Sequence, residues 1–350
     1  MKHRVTIGGV FPLERGGTLT DVEVEVRTWG RHAPVATLIC HALTGDANAD
    51  DWWNGLFGKG KAFDPTRSFI VSMNVLGGLS GTTGPTSPAP DGSKAYGPAF
   101  PTITIRDMVR VQRQVLDQLG VQRLALVIGG SMGGMQVLEW AAMYPEVVES
   151  MVPIGVGSEQ SPWAVALSET QRSAITTDPQ FQDGWYGLDG AGPRSGLSTA
   201  RMIAMTSYRS PAEFSRRFGR SADANGFAVQ SYLRYQGTKF VDRFDANTYL
   251  TLLAAMDSHD LGRGRGPTEA ILKRIDVPGV IVGISTDMLY PVAETRALAA
   301  ALPRCRFAVL DSMHGHDGFL IDTDQLNDLV LSSRESSRSI TSSGHGAAWA

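Results

Sequence analysis

Six short, almost unbroken apolar runs constrain this 350-residue chain more than any other feature: VATLIC (35–40), SFIVSMNV (68–75), LALVIG (124–129), MVPIGV (151–156), GVIVGI (279–284) and RFAVL (306–310). A strand with one wet face alternates apolar and polar residues, whereas a strand covered on both faces does not. The runs therefore predict an α/β protein with a mostly parallel central sheet flanked by helices. One covering helix is visible in TIRDMVRVQRQVLDQLG, where Ile105, Met108, Val109, Val115, Leu116 and Leu119 form an apolar stripe and Gly120 supplies a stop. Ahead of these runs, segments around 4–7 and 22–28 alternate on either side of the turn-rich ERGGTLTD, the pattern of an antiparallel pair.

Between about 161 and 274 the strand-like runs stop, and helical stretches such as TARMIAMTSYRS and NTYLTLLAAMDSHD alternate with polar loops. This divides the chain into a core, 1–160 and 275–333, and a helical lid, 161–274. The lid holds an excess of basic residues while the rest is acidic, which mildly favours an anionic ligand near it. The end, SSRESSRSITSSGHGAAWA, is rich in Ser and Gly and nearly free of apolar residues, so 334–350 is expected to be a disordered tail.

A net charge of −3, from 32 Lys and Arg against 35 Asp and Glu, gives no general attraction for nucleic acid or an anionic membrane, and points to small-molecule work. The 2 cysteines, Cys40 and Cys305, lie far apart in apolar runs, as buried thiols of a reducing compartment do, so a cytoplasmic location is expected. The opening MKHRVTIGGVFPLERGG alternates and breaks at glycines, and no run approaches about 18 apolar residues, so neither export nor membrane spanning is expected.

The chemistry is concentrated in GGSMGGM, 129–135, where Gly129, Ser131 and Gly133 match G-x-S-x-G between a buried strand and a helix. That context suits a nucleophile elbow, a sharp turn that presents the serine hydroxyl above the sheet. A phosphate-binding loop needs Lys and then Ser or Thr after its second glycine, and Met135 and Gln136 stand there instead. A dinucleotide fingerprint needs an acidic residue after the next strand, which ends in Gly157 and Ser158.

A serine hydroxyl needs a base, and the base a carboxylate, in the order Ser, Asp or Glu, His for this kind of elbow. Asp287 follows one buried run, and His314 and His316 follow the next. Asp311 lies almost on the histidines and Asp276 precedes its strand, so Asp287 is the preferred acid. Spacing does not choose between the two histidines. An acyl-transfer oxyanion needs two amide donors; the amide of Met132 and that of Leu43, in CHALTGDAN, are the candidates. His41 in the same loop reads as a structural histidine. No metal site is expected.

The strings HALTGDA, NVLGGLSGTTGPTSPAPDGSKAYGPAFPTITIRDMV, GGSMGGMQVLEWAAMYP, AVQSYLRYQGTKFVDRFDANTYL, SHDLGRGRG and DMLYP with HGHDGFL closely resemble the homoserine O-acetyltransferase family, α/β-hydrolase-fold enzymes of methionine biosynthesis. The likeness runs from about 35 to 325. It implies a ping-pong acyltransferase with acetyl-CoA as donor substrate, L-homoserine as acceptor, no permanently bound cofactor, and a homodimer built through the helical insertion. By resemblance, His316 of the GHD string is the catalytic histidine, completing Ser131, Asp287 and His316, while Arg209 in SYRS and Asp317 hold the amino acid. Two departures bear on the pocket: Leu79 stands where the family commonly has cysteine, and GRSADANGFAVQ is shorter than in many relatives. Succinyl-CoA as donor or serine as acceptor needs only local changes. The same triad also serves an esterase or thioesterase, and a non-enzymatic ligand-binding scaffold is a further alternative.

Overall fold

The computed structural model describes residues 1–343 except 91, 93, 188–191 and 225, and for 334–343 it describes the backbone alone. Its centre is an eight-stranded sheet. In chain order the strands are β1 (Lys2–Pro12), β2 (Thr18–Trp29), β3 (Val35–Cys40), β4 (Phe69–Met73), β5 (Arg123–Gly130) and β6 (Met151–Ile154). After a short hairpin of β7 (Ala222–Asp223) and β8 (Gly226–Phe227) come β9 (Gly279–Ile284) and β10 (Cys305–Leu310). The spatial order is β1-β2-β4-β3-β5-β6-β9-β10. β1 and β2 are antiparallel, β2 joins β4 antiparallel, and all pairs from β4 to β10 are parallel. The apolar runs are thus the parallel strands.

Burial follows position in the sheet. β3, β4, β5, β6 and β9 are buried along nearly their whole length, as continuous apolar sequence requires. β10 differs: only Leu310 is fully buried, because β10 is the last strand and one flank lacks a neighbour. Both sequence-predicted antiparallel strands extend further than 4–7 and 22–28. A register shift between Ile7 and Val10 absorbs the glycine pair, so β1 bends and continues.

The helix read from its apolar stripe spans Ile105–Gln118. Thr104 and Asp107 form a reciprocal capping box at its start, and Gly120 at φ +70° ends it. Helix Met132–Met143 is buried on nearly every side, so its sequence shows little amphipathic period.

Between β6 and β9 the chain forms the expected helical insertion. Helices Pro162–Thr176, Pro211–Phe218 and Ala246–Asp257 start at Ser161, Ser210 and Asp245, each accepting a first-turn amide through its side chain. The insertion rejoins the core through SHDLGRGRG, which a buried ionic network holds. Arg106 donates to Glu139 Oε1 (2.9 Å), Glu14 Oε1 (2.7 Å) and the carbonyls of Asp260 (2.9 Å) and Arg263 (2.7 Å), while Arg265 pairs with Glu139 at 2.7 Å. Breaking such a network by removing one partner strands buried charge, which costs about 3–5 kcal/mol.

Helix Thr323–Ser343 runs through the first ten residues of the segment expected to be a disordered tail; 344–350 lie outside the described residues. Its opening turns dock through buried Leu326 and Val330, and once a helix is nucleated each further residue adds a hydrogen bond at little cost. Both cysteines are free. Cys40 is buried and Cys305 half-buried, and burial pushes the Cys305 thiol up to about 12. Among the described residues no helix is long and apolar enough to cross a membrane, and no group of three or more His, Cys, Asp or Glu could hold a metal ion.

Candidate active site

Ser131 sits between β5 and helix Met132–Met143 with φ +58° and ψ −125°, a left-handed conformation that an L residue adopts only under constraint. Its amide donates to Ile154 O (2.9 Å) and its carbonyl accepts from Met135 N (3.1 Å), so the turn is held from both sides. The surrounding glycines are sterically required. A Cβ on Gly133 would lie 2.2 Å from Cys40 O, and one on Gly129 would lie 2.6 Å from the same atom. The elbow is therefore pressed against the end of β3, where the loop with Leu43 begins.

Asp287 and His316 meet at the same edge of the sheet, from the loops after β9 and β10. His316 Nδ1 lies 2.7 Å from Asp287 Oδ2. The other carboxylate oxygen, Oδ1, accepts from the amides of Leu289 (2.8 Å) and Tyr290 (2.9 Å). Asp287 is thus fixed by backbone, and it fixes the imidazole in turn. Gly155, at φ +54°, lies beneath the pair, where a Cβ would come within 3.2 Å of Asp287 Oδ2 and 3.3 Å of His316 Cε1. His316 is 3% exposed, and its Nε2 makes no hydrogen bond among the described residues. Burial disfavours the charged ring, but the Asp287 charge and hydrogen bond, with Asp317 nearby, outweigh it and hold the imidazole pKa above the usual 6.5.

A cavity of about 290 Å³ opens here, bounded by Ser131, His316 and Asp317, by the 42–46 loop including Leu43, by Trp52, Phe319 and Leu320, and by Arg201, Tyr208 and Arg243 of the insertion. The amides of Leu43 and Met132 donate to no protein acceptor among the described hydrogen bonds. Gln136, one turn into the helix, ties the two segments together by donating to the carbonyls of His41 (3.2 Å) and Met132 (3.1 Å). His41 itself is spent on structure: Nδ1 lies 2.8 Å from Ala42 O, and Nε2 accepts from Val75 N at 3.1 Å.

The remaining candidates separate. His314 is outside the cavity lining, with Nδ1 3.3 Å from Glu213 Oε2. Asp311 is exposed and accepts from Ser285 Oγ (3.0 Å), and Asp276 pairs with Arg304 (3.6 Å). Arg209 also stays out of the lining: its Nε is 3.0 Å from Asp317 Oδ2 and its Nη1 2.9 Å from Glu213 Oε1. The expected partners Arg209 and Asp317 are thus together, but as an ion pair with each other, with Asp317 the member of the pair that faces the cavity. Burial raises the Asp317 pKa against the opposing pull of Arg209, His316 and Arg201.

Two guanidiniums do face the cavity, that of Arg243 and, missed like it in the sequence reading, that of Arg201. It lies 5.6 Å from the Tyr208 ring centre and 5.1 Å from that of Phe240, and its buried Nη1 has no hydrogen-bond partner among the described residues. The available signal was spacing: Arg201 and Tyr208 are seven apart in helix Arg194–Tyr208 and so share a face. Arg243 is the second missed cation, reaching Thr44 O at 3.1 Å.

Residues 36–323 match the model of the alpha/beta hydrolase fold. The chain is 52% identical over 322 residues to the homoserine O-acetyltransferase of Chlorobaculum tepidum, covering 91% of this chain and 90% of that one. The crystal structure of homoserine O-acetyltransferase from Bacillus anthracis is similar in fold, with TM-score 0.89 and 22% identity over 95% of this chain and 97% of that one. An acetylester hydrolase from Corynebacterium glutamicum is also similar, with TM-score 0.84 and 25% identity over 96% of each chain. Fold alone is therefore shared between transferases and hydrolases, and the full-length identity discriminates: the chain belongs to the homoserine O-acetyltransferase family of α/β-hydrolase-fold proteins.

Proposed function

We propose that this protein transfers an acetyl group from acetyl-CoA to the side-chain hydroxyl of L-homoserine through an acyl-serine intermediate. The observation that favours transfer over hydrolysis is the wall facing Ser131. Arg201, whose Nη1 has no hydrogen-bond partner among the described residues, and Asp317 complement an amino acid's carboxylate and ammonium, whereas a hydrolase needs only water there. Membership of the family supports the choice of donor and acceptor.

In the first half-reaction Ser131 Oγ attacks the thioester carbonyl and its proton passes to His316 Nε2, the ring nitrogen that Asp287 leaves free. The amides of Leu43 and Met132, the second at a helix N-terminus, stabilise the oxyanion. The C–S bond breaks, the sulfur takes the proton from His316, and CoA departs. In the second half-reaction the homoserine hydroxyl gives its proton to His316 Nε2 and attacks the acetyl-serine. Collapse forms O-acetylhomoserine, and the proton returns to Ser131. Arg201 takes the acceptor carboxylate, Asp317 its ammonium, and Arg209 holds Asp317 in place. The segment 161–274 acts as the lid that excludes water. The enzyme works in the cytoplasm as a homodimer built through this insertion.

The test is release of free CoA from acetyl-CoA with and without L-homoserine, with products identified by mass spectrometry across acyl-CoA donors and amino-acid acceptors. Release should rise steeply with homoserine. Equal release without any acceptor sinks the transferase reading, preference for succinyl-CoA or serine corrects the substrate, and no turnover with any donor leaves a binding scaffold.

A further inference from the structure

Three polar side chains sit where the core packs helix on helix, and the triad uses none of them. Gln112 lies within the apolar stripe of helix Ile105–Gln118, and Gln136 and Trp140 lie one turn apart on helix Met132–Met143. Gln112 is 2% exposed and the other two are fully buried. Leucine or methionine would fill such positions without taking an amide out of water, so the glutamines need a reason. Their bonds form one chain. Trp140 Nε1 donates to Gln112 Oε1 (2.7 Å), Gln112 Nε2 donates to Gln136 Oε1 (2.6 Å), and Gln136 Nε2 donates to the carbonyls of His41 (3.2 Å) and Met132 (3.1 Å). An indole nitrogen only donates, so the chain has a single direction. A flip of either glutamine amide would set donor against donor and oxygen against oxygen.

The chain ends between the two segments that carry the Leu43 and Met132 amides. Within its own segment each amide is already fixed from the carbonyl side of its peptide. Ala42 O accepts from Gly45 N (2.9 Å) and from Nδ1 of His41 (2.8 Å), whose proton is on that nitrogen because Nε2 accepts from Val75 N (3.1 Å). Ser131 O accepts from Met135 N (3.1 Å). Gln136 reaches across, and the segments it joins are close: a Cβ on Gly133 would lie 3.2 Å from His41 O.

We propose that Gln136, oriented by Gln112 and Trp140, is a positioning residue of the oxyanion hole: it sets the spacing between the Leu43 and Met132 amides. The inference rests on the acyl-transfer reading, in which those amides receive the oxyanion. Such donors must lie about 2.7–3.1 Å from the place where the charge develops, so a small shift of either segment weakens one of them. Both half-reactions pass through a tetrahedral oxyanion at the acetyl carbonyl carbon, so one brace serves both.

The variants are Gln136→Met, which keeps the volume and removes the donor, Trp140→Phe, which keeps a ring and removes the indole N–H, and the two together. Circular dichroism melts establish that they fold, and if Gln136→Met does not, Gln112→Met carries the same expectation. In ping-pong kinetics kcat/KM for acetyl-CoA and kcat/KM for homoserine report the two half-reactions separately. Gln136→Met should lower both about 10–100-fold and by the same factor within about threefold, since the oxyanion donors are displaced and not removed. Trp140→Phe should lower both by about three- to tenfold in the parent but by less than about twofold in Gln136→Met, because it acts through Gln136. The acid limb of each pH profile should keep its place, since none of the three side chains titrates near it; a limb that moves would trace the loss to His316 instead. A role confined to helix packing lowers the melting temperature and leaves both kcat/KM values within about twofold of the parent. That result, or a fall in one half-reaction alone, overturns the brace. Hydrolysis of 4-nitrophenyl acetate separates the brace from the functional reading. A parent that cleaves this ester but never acetylates homoserine refutes the reading, and an equal loss of ester cleavage in the variants leaves the brace standing. A parent inactive on both overturns both.

Discussion

At the sheet edge, Asp287 is held by two backbone amides and holds His316 in turn; where the insertion meets the core, Arg209 pairs with both Glu213 and Asp317 through side chains. The first arrangement is built on strand ends and tight turns, so its atoms have little freedom. The second depends on long side chains, which substitution can re-pair. The difference teaches where chemistry and selectivity reside in the proposed mechanism: there the sheet edge supplies the acyl-transfer machinery, and the insertion supplies the acceptor contacts. Changes at the sheet edge should lower kcat, and changes in the insertion should raise the acceptor KM.

The largest expected effect is Ser131→Ala, with kcat down by more than about 10⁴-fold and no acetyl adduct in the intact mass. A surviving adduct would move the nucleophile elsewhere. Asp287→Asn should cost roughly 10⁴-fold, because the amide no longer enforces the ring tautomer. It should also move the pH profile. In the proposed mechanism His316 works as a neutral base, and its raised pKa places the acid limb of kcat/KM above the ordinary histidine range, activity growing as pH rises through the raised pKa. Without the Asp287 charge, burial is less opposed and the limb should shift to lower pH; a limb that stays put detaches it from this pair.

On the insertion side, Arg201→Ala should raise the homoserine KM about 10–100-fold, the worth of a charged hydrogen bond, while CoA release in the first half-reaction stays within about threefold. Arg209→Ala should raise the same KM less, roughly fivefold, because it acts through Asp317. The reverse ranking would make Arg209 the direct contact. The smallest effect belongs to His314→Ala, expected within about threefold of the parent kcat, since this ring faces Glu213 and not the cavity. A loss matching His316→Ala would exchange the two histidines.

Much of this was legible in the residues. Buried strands leave continuous apolar runs, and an elbow needs its glycines because Cys40 O lies where side chains at 129 and 133 would go. The order Ser131, Asp287, His316 followed from strand ends converging on one edge. Arg201 was not legible, because a helical arginine reads as a solvated face until the helix is docked. The pairing of Arg209 was hidden for the same reason: its partners Glu213 and Asp317 are 4 residues away in one case and across the molecule in the other.

The sequence by itself determined the sheet, the elbow and the chemistry available at its edge, because backbone hydrogen bonding, burial and glycine sterics act over a few residues and leave local patterns. Only the tertiary structure decided which guanidiniums face the cavity, that Arg209 pairs with Glu213 and Asp317, and that His314 lies against Glu213 outside the cavity lining. Those outcomes depend on how separate segments dock, and the direction of a long charged side chain is set by the partners that docking brings within reach.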